Sequence, residues 1–231
     1  MRETSFRGEV EVIVGSMFSG KTEELIRILR RSQFAHLKIQ VFKPRIDVRY
    51  SIDHVATHKR ELFPSITIDH AVEIYAHLRP ETQVIGIDEG QFFDDELVDV
   101  ANELADRGLR IFIAGLDLDW KGEPFHPMPA LLAIADNVKK LRAVCVVCGA
   151  TASRTQRLVK DTSSVLIGDQ TVYEARCRAC FDPSLALSAE NSISPVSLSV
   201  ALESRELEKT PRALRAPPPP HIALHSQNAE V

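Results

Sequence analysis

Eight consecutive residues, Gly15-Ser16-Met17-Phe18-Ser19-Gly20-Lys21-Thr22, have the spacing of a phosphate-binding loop. The chemistry open to them is capture of a nucleoside triphosphate. Glycines at both ends let the backbone turn tightly, so that successive N–H groups point into one concavity and a helix N-terminus adds its partial positive charge. Lys21 would reach the outer phosphates, and the Thr22 hydroxyl stands where Mg²⁺ is held. A glycine-rich turn with a surface lysine would give the same letters without binding anything, so the flanks decide. Glu9-Val10-Glu11-Val12-Ile13-Val14 reads as a strand, and Leu25, Ile26, Ile28 and Leu29 form a helical stripe after the loop. Strand, G-x-x-x-x-G-K-T, helix is the context this binding loop requires.

A pair of acids could complete the site. Asp88 and Glu89 end the apolar run Val84-Ile85-Gly86-Ile87. A continuous apolar run is the mark of a buried parallel strand, and α/β sheets place ligands at the carboxyl ends of such strands. Asp88 fits the acid that shares Mg²⁺ with Thr22, an acidic helix cap being the bland alternative. Glu89 could deprotonate a hydroxyl, as in a kinase, or position water, as in an ATPase. Residue types alone leave that choice open. Phe92, Phe93, Trp120 and Phe125 favour the core over ligand stacking on burial preference.

The cysteines form a third constellation. All four fall in two C-x-x-C pairs, Cys145/Cys148 and Cys177/Cys180, separated by residues 149–176. Four thiolates suit a closed tetrahedral Zn²⁺ site, which is structural because no coordination position stays open. Thiol redox chemistry is the alternative, and two matched pairs that use every cysteine favour metal. Tying the pairs together would clip both ends of the intervening loop, a good arrangement for a substrate lid.

These groups need a frame, and the elements between them supply one. Lys38-Ile39-Gln40-Val41-Phe42 reads as a second strand, stopped by Pro44. Residues 45–64 are polar, lack a period and read as a long loop, with Asp47-Val48-Arg49-Tyr50 a candidate contributor to the site. A short helix is expected over residues 69–78, another over 94–107, a strand over 110–115 and a further helix over 128–136. Strands alternating with helices predict an α/β fold, a mostly parallel sheet with helices on both faces. From residue 184 the composition shifts to Ser, Ala, Glu and Pro, as in a disordered tail.

A chain of 231 residues has room for one such domain and a small appendage. Its net charge of −4 argues against gripping a nucleic-acid backbone, and it holds no run long enough to span a membrane. The first seven residues lack the apolar centre of a signal peptide, so the expected address is cytoplasmic.

The phosphate loop, Asp47-Val48-Arg49-Tyr50, Ile87-Asp88-Glu89-Gly90-Gln91-Phe92-Phe93 and the two C-x-x-C pairs together resemble type II thymidine kinase, the zinc-containing cytosolic family. Arg154-Thr155-Gln156-Arg157-Leu158 and Val165-Leu166-Ile167-Gly168 with Tyr173-Glu174-Ala175-Arg176-Cys177 extend the likeness in one colinear order over residues 8–181. The resemblance implies a P-loop (RecA-like) domain over 1–141, a zinc ribbon with a lasso loop over 142–183, and a tail over 184–231. It implies ATP in the loop Gly15 to Thr22, Mg²⁺ on Thr22 and Asp88, and Glu89 taking the proton from the 5′-hydroxyl of thymidine. Lys21 and Arg49 would stabilise the charge of the transferring phosphoryl group. Met17, Phe92, Leu116, Trp120, Phe125, Thr155, Leu166, Gly168 and Tyr173 would hold the nucleoside, and Gln91 would contact ligand nearby. A homotetramer is implied as well. The rival in kind is a nucleic-acid-stimulated ATPase whose zinc module binds DNA or RNA.

Overall fold

The chain opens on β1 (Glu9–Val14) and α1 (Lys21–Phe34). It continues through β2 (Ile39–Pro44), the antiparallel pair β3 (His54–Ala56) and β4 (Leu62–Pro64), β5 (Ile66–Ile68) and α2 (Glu73–His77). Then come β6 (Val84–Ile87), α3 (Glu96–Asp106), β7 (Arg110–Gly115), α4 (Met128–Ile134) and β8 (Asn137–Lys140). The computed structural model describes residues 8–46, 54–56, 62–159 and 171–186, and all of them belong to one compact unit.

Six strands form one sheet in the order β5-β2-β6-β7-β1-β8, and every neighbouring pair is parallel. Register brings the carboxyl ends level. Val14 pairs with Gly115 and with Lys140, and Ile87 pairs with Phe42 and Ile113. Gly15, Asp88 and Leu116 therefore leave the sheet at one edge, the edge where parallel α/β sheets bind ligands.

Alternation along each strand builds two cores. Val10, Val12 and Val14 of β1, with Ile111 and Ile113 of β7, face α3 and α4. Ile13, Phe112 and Ala114 face the other way, onto Leu25, Ile26 and Leu29 of α1. The sheet is thus covered on both faces, as the strand–helix alternation predicts. In α3, Leu97, Val100, Ala101 and Leu104 recur at the spacing of one helical face and are all buried. Each such Leu or Val side chain contributes roughly 1.5–3 kcal/mol through its burial. Gly86 in β6 lets α1 approach: a Cβ there would stand 3.0 Å from both methyls of Leu29.

Beyond the sheet, β9 (Ala143–Val144) pairs with β10 (Thr151–Ala152), and β11 (Arg154–Arg157) pairs with β12 (Tyr173–Arg176), both antiparallel. A 3-10 turn, Pro183–Ala186, carries the described chain past residue 183 and buries Ala186. Residues 187–231 of the expected tail lie outside the described residues.

Two differences from the sequence reading stand out. The stretch 45–64, expected as a loop, contains β3 and β4; at three residues apiece these strands are too short to show a period. The last strand of the sheet, β8, also gave no signal. It is an edge strand whose residues are mostly exposed, so no apolar pattern was required of it.

Candidate active site

The turn from β1 into α1 depends on Gly15. Its φ is 153°, and a Cβ would lie 2.5 Å from the Leu141 carbonyl oxygen and 2.7 Å from Ser19 Oγ. Gly20, at φ 87°, caps the helix in the left-handed region, and Lys21 begins the first turn. The Lys21 ammonium turns back on the loop and donates to the Ser16 carbonyl at 3.0 Å. The hydroxyls of Ser16 and Ser19 are buried without a hydrogen-bond partner among the described residues. Orphaned polar atoms of this kind, under a helix N-terminus, fit an anionic ligand.

Thr22, one residue into the helix, donates its hydroxyl to both oxygens of Asp88 at 3.2 and 3.3 Å. Asp88 is buried, and its backbone N–H donates to the Phe42 carbonyl, which ties the end of β6 to β2. This hydroxyl–carboxylate pair is the donor set expected of a Mg²⁺ site beside phosphates.

Glu89 has φ 52° and ψ 43°, a left-handed conformation uncommon outside glycine. Strain of this kind costs on the order of 1–3 kcal/mol and collects at functional sites. It starts the 3-10 turn Gly90–Phe92, which buries Gln91 directly behind it. Gln91 Nε2 donates to Glu89 Oε2 at 2.5 Å, and Gln91 Oε1 accepts the Leu116 N–H at 2.9 Å. Both ends of the Gln91 amide are thereby committed to protein groups.

The residues expected to hold a nucleoside fall into two groups joined by one loop. Phe92 meets Phe125 edge-on, with ring centroids 5.9 Å apart. Trp120 and Tyr173 are buried together, with Met17 and Phe18 of the phosphate loop packed against them. Residues 116–125 carry Leu116, Trp120 and Phe125, and the loop is pinned from inside. Asp119 Oδ1 accepts the N–H groups of Lys121 and Glu123, and the Phe125 N–H donates to the Asp117 carbonyl. Thr155 Oγ1 accepts the Met17 N–H at 3.0 Å, which links β11 to the phosphate loop. Arg49, Leu166 and Gly168 lie outside the described residues, as do Asp47, Val48 and Tyr50.

The four cysteine sulfurs lie within 4.8 Å of one another, and Cys148 Sγ stands 3.6 Å from Cys177 Sγ. Zn–S bonds of about 2.3 Å would set S···S edges of about 3.8 Å, so the arrangement is compatible with a tetrahedral zinc site. Electrostatics agrees. Burial opposes ionisation of Cys145, yet the backbone N–H groups of Cys177, Cys148 and Val147 outweigh it and bring the thiol down to about 6. Cys180 is pushed up to about 12 by the sulfurs of Cys177 and Cys148. Four packed thiols cannot all shed their protons without a cation among them.

The thymidine kinase family model matches residues 8–181, three quarters of the chain. The chain belongs to the thymidine kinase family. Thymidine kinase of Bdellovibrio bacteriovorus is 60% identical over 177 residues, covering 77% of this chain and 87% of that protein. Thymidine kinases of Bacteroides fragilis and Bacteroides thetaiotaomicron are 50% and 51% identical, covering 83% and 78% of this chain and 96% and 90% of theirs. Solved structures overlay loosely, the Legionella pneumophila ATPase DotB at a TM-score of 0.39 over 63% of this chain and 43% of that one, with 15% identity. With its four-cysteine cluster, the chain falls in the type II division that the sequence motifs resemble, and the nucleic-acid-stimulated ATPase is not favoured.

Within this thymidine kinase fold, several contacts had no sequence signal. Gln156 is fully buried; its amide donates to the Asp182 carbonyl at 2.8 Å and accepts the Asp182 N–H at 2.9 Å, latching the last cysteine turn to β11. Lys140 pairs with the buried Asp117 at 2.7 Å and so holds the 116–125 loop to the end of β8. Arg157 is fully buried, with its guanidinium 4.4 Å from the Trp120 ring centre. A motif search sees these letters but not their partners. No described helix is long and apolar enough to cross a membrane.

Proposed function

We propose that the protein transfers the γ-phosphate of ATP to the 5′-hydroxyl of thymidine, with Glu89 as the general base. The observation that carries this reading is the arrangement at one sheet edge. Thr22 at the start of α1 meets Asp88, and Glu89 follows it, braced by Gln91.

The backbone between Gly15 and Gly20, with Lys21, would cradle the phosphates. Thr22 and Asp88 would hold Mg²⁺, which would supply charge neutralisation to the phosphates. Glu89 would accept the hydroxyl proton as the oxygen attacks in line, and Lys21 and Arg49 would stabilise the spreading charge. Phe92, Leu116, Phe125, Met17, Thr155, Trp120 and Tyr173 would form the nucleoside side of the site, joined by Leu166 and Gly168. Residues 1–141 would form the nucleotide domain and 142–183 a zinc-clipped lid, with Cys145, Cys148, Cys177 and Cys180 as structural zinc ligands. We assign residues 184–231 no part in the chemistry. Family membership supports a cytoplasmic homotetramer that needs neither nucleic acid nor a membrane.

Phosphate transfer from ATP to thymidine, uridine, deoxycytidine and water, compared between wild type and Glu89→Gln, tests the reading. Rapid formation of thymidine monophosphate, lowered about 10²–10⁴-fold in E89Q with ATP binding retained, is the expected result. Transfer to water alone, accelerated by DNA, would sink it.

A further inference from the structure

Arg157 has no part in the chemistry above, yet it is among the largest side chains in the molecule with no exposed surface. Burying a guanidinium is costly unless its donors and its faces are engaged. Here two residues expected in the nucleoside site engage one face and one of the donors. Its Cζ lies 4.4 Å from the centre of the Trp120 ring, within cation–π range, and Nη2 donates to the Tyr173 hydroxyl at 2.9 Å. It also lies 5.5 Å from the centre of the Tyr173 ring.

Its place in the chain matters as much as its contacts. Arg157 is the last residue of β11 and pairs in register with Tyr173, the first residue of β12. One step further along, the Leu158 N–H donates to the Val172 carbonyl at 2.8 Å, so the pairing continues just past Arg157 and Tyr173. Trp120 belongs to neither strand; it stands on the pinned 116–125 loop that follows β7. A planar, permanently charged fork can stack on one partner while hydrogen-bonding another, which an ammonium cannot do as well.

We infer that Arg157 is a positioning residue for thymidine: it fixes the Trp120 ring and the Tyr173 hydroxyl against each other on the nucleoside side of the site. The inference rests on the thymidine kinase reading above. Its contacts lie on the nucleoside side, so its effect separates the two substrates. Losing it disorders the thymidine site and leaves the phosphate loop, built on β1 and α1, able to take ATP.

The test is steady-state kinetics with both substrates varied, plus melting curves with and without thymidine, on wild type, Arg157→Met and Arg157→Lys. R157M is expected to raise the thymidine KM about tenfold or more and to abolish the thymidine-induced rise in Tm, with the ATP KM within about twofold of wild type. R157K keeps charge and reach but loses the flat fork, and is expected to raise the thymidine KM in the same direction by less. Should R157M fail to fold, R157K is read alone on the same measure. An unchanged thymidine KM, or equal rises in both KM values, overturns the inference. A wild type that does not phosphorylate thymidine would instead sink the functional reading, so the two failures are distinguishable.

Discussion

Gln91 joins Glu89 to the backbone of Leu116: one end of its amide donates to the Glu89 carboxylate and the other accepts the Leu116 N–H. The carboxylate at the end of β6 is thereby aimed by a residue that is itself locked to the end of β7. An orienting contact of this kind matters because a base must meet its proton within hydrogen-bond reach, and small misplacements are expensive in rate.

Replacing Gln91 tests that relationship in two ways. Gln91→Ala should lower kcat about tenfold or more and also destabilise the fold by roughly 1 kcal/mol, since the half-buried Leu116 N–H loses its acceptor. Gln91→Glu keeps an acceptor for Leu116 but cannot donate to Glu89, so it should lose rate with less loss of stability. Stopped-time kinase assays and urea melts on the two variants measure both effects; equal kcat in Q91E and wild type would count against the positioning role.

Asp88→Asn should leave the fold nearly intact, because the amide oxygen can still accept from Thr22, while removing the charge that a metal ion needs. The expected outcome is a Mg²⁺ requirement for half-maximal rate raised about tenfold or more. A magnesium titration of wild type and variant reads it directly, and an unshifted midpoint would move the metal site elsewhere.

Stability at low pH should report on Glu24. Arg27 holds its carboxylate down at about 2, with Lys139 helping and burial opposing. A depressed folded-state value means the stabilisation is present above the unfolded value of 4.5 and is lost as pH falls from there toward 2. Full linkage would approach about 3 kcal/mol, but Arg27 is half exposed, so about 1 kcal/mol is the realistic scale. Denaturant melts of wild type and Glu24→Gln should therefore differ at pH 7, draw together below pH 4.5 and converge only at about pH 2 and below. A gap that persisted at low pH would assign the difference to packing.

Metal content and stability should fall together in the cysteine module. Cys148→Ser or prolonged chelation is expected to remove zinc and to melt the ribbon, since a structural zinc site supplies on the order of 10 kcal/mol of folding free energy. Atomic absorption alongside thermal melts checks this. Undiminished stability after complete loss of metal would show that the four sulfurs need no ion.

Much of the fold and of the site was legible in contiguous stretches. The phosphate loop, the acids after β6 and the two C-x-x-C pairs are local patterns, and each depends on residues within one turn or one strand end. The alternation of strands and helices likewise announced a parallel sheet covered on both faces, because the periods of 2 and 3.6 are written in neighbouring residues. What escaped was whatever lacked a period or a neighbour: β3 and β4 at three residues each, and the exposed edge strand β8.

Residue type and spacing alone therefore determined which groups could bind phosphate, carry metal and take a proton, since those chemistries are set by functional groups held at short sequence separation. Only the tertiary structure decided how those groups are aimed. Met17 meets Thr155, Gln91 meets Leu116, Gln156 meets Asp182, and Arg157 meets Trp120. Each of these contacts joins elements that become neighbours only after the sheet and the ribbon have formed. Side-chain hydrogen bonds and ring stacking act over a few ångströms, so no pattern along the chain could encode them.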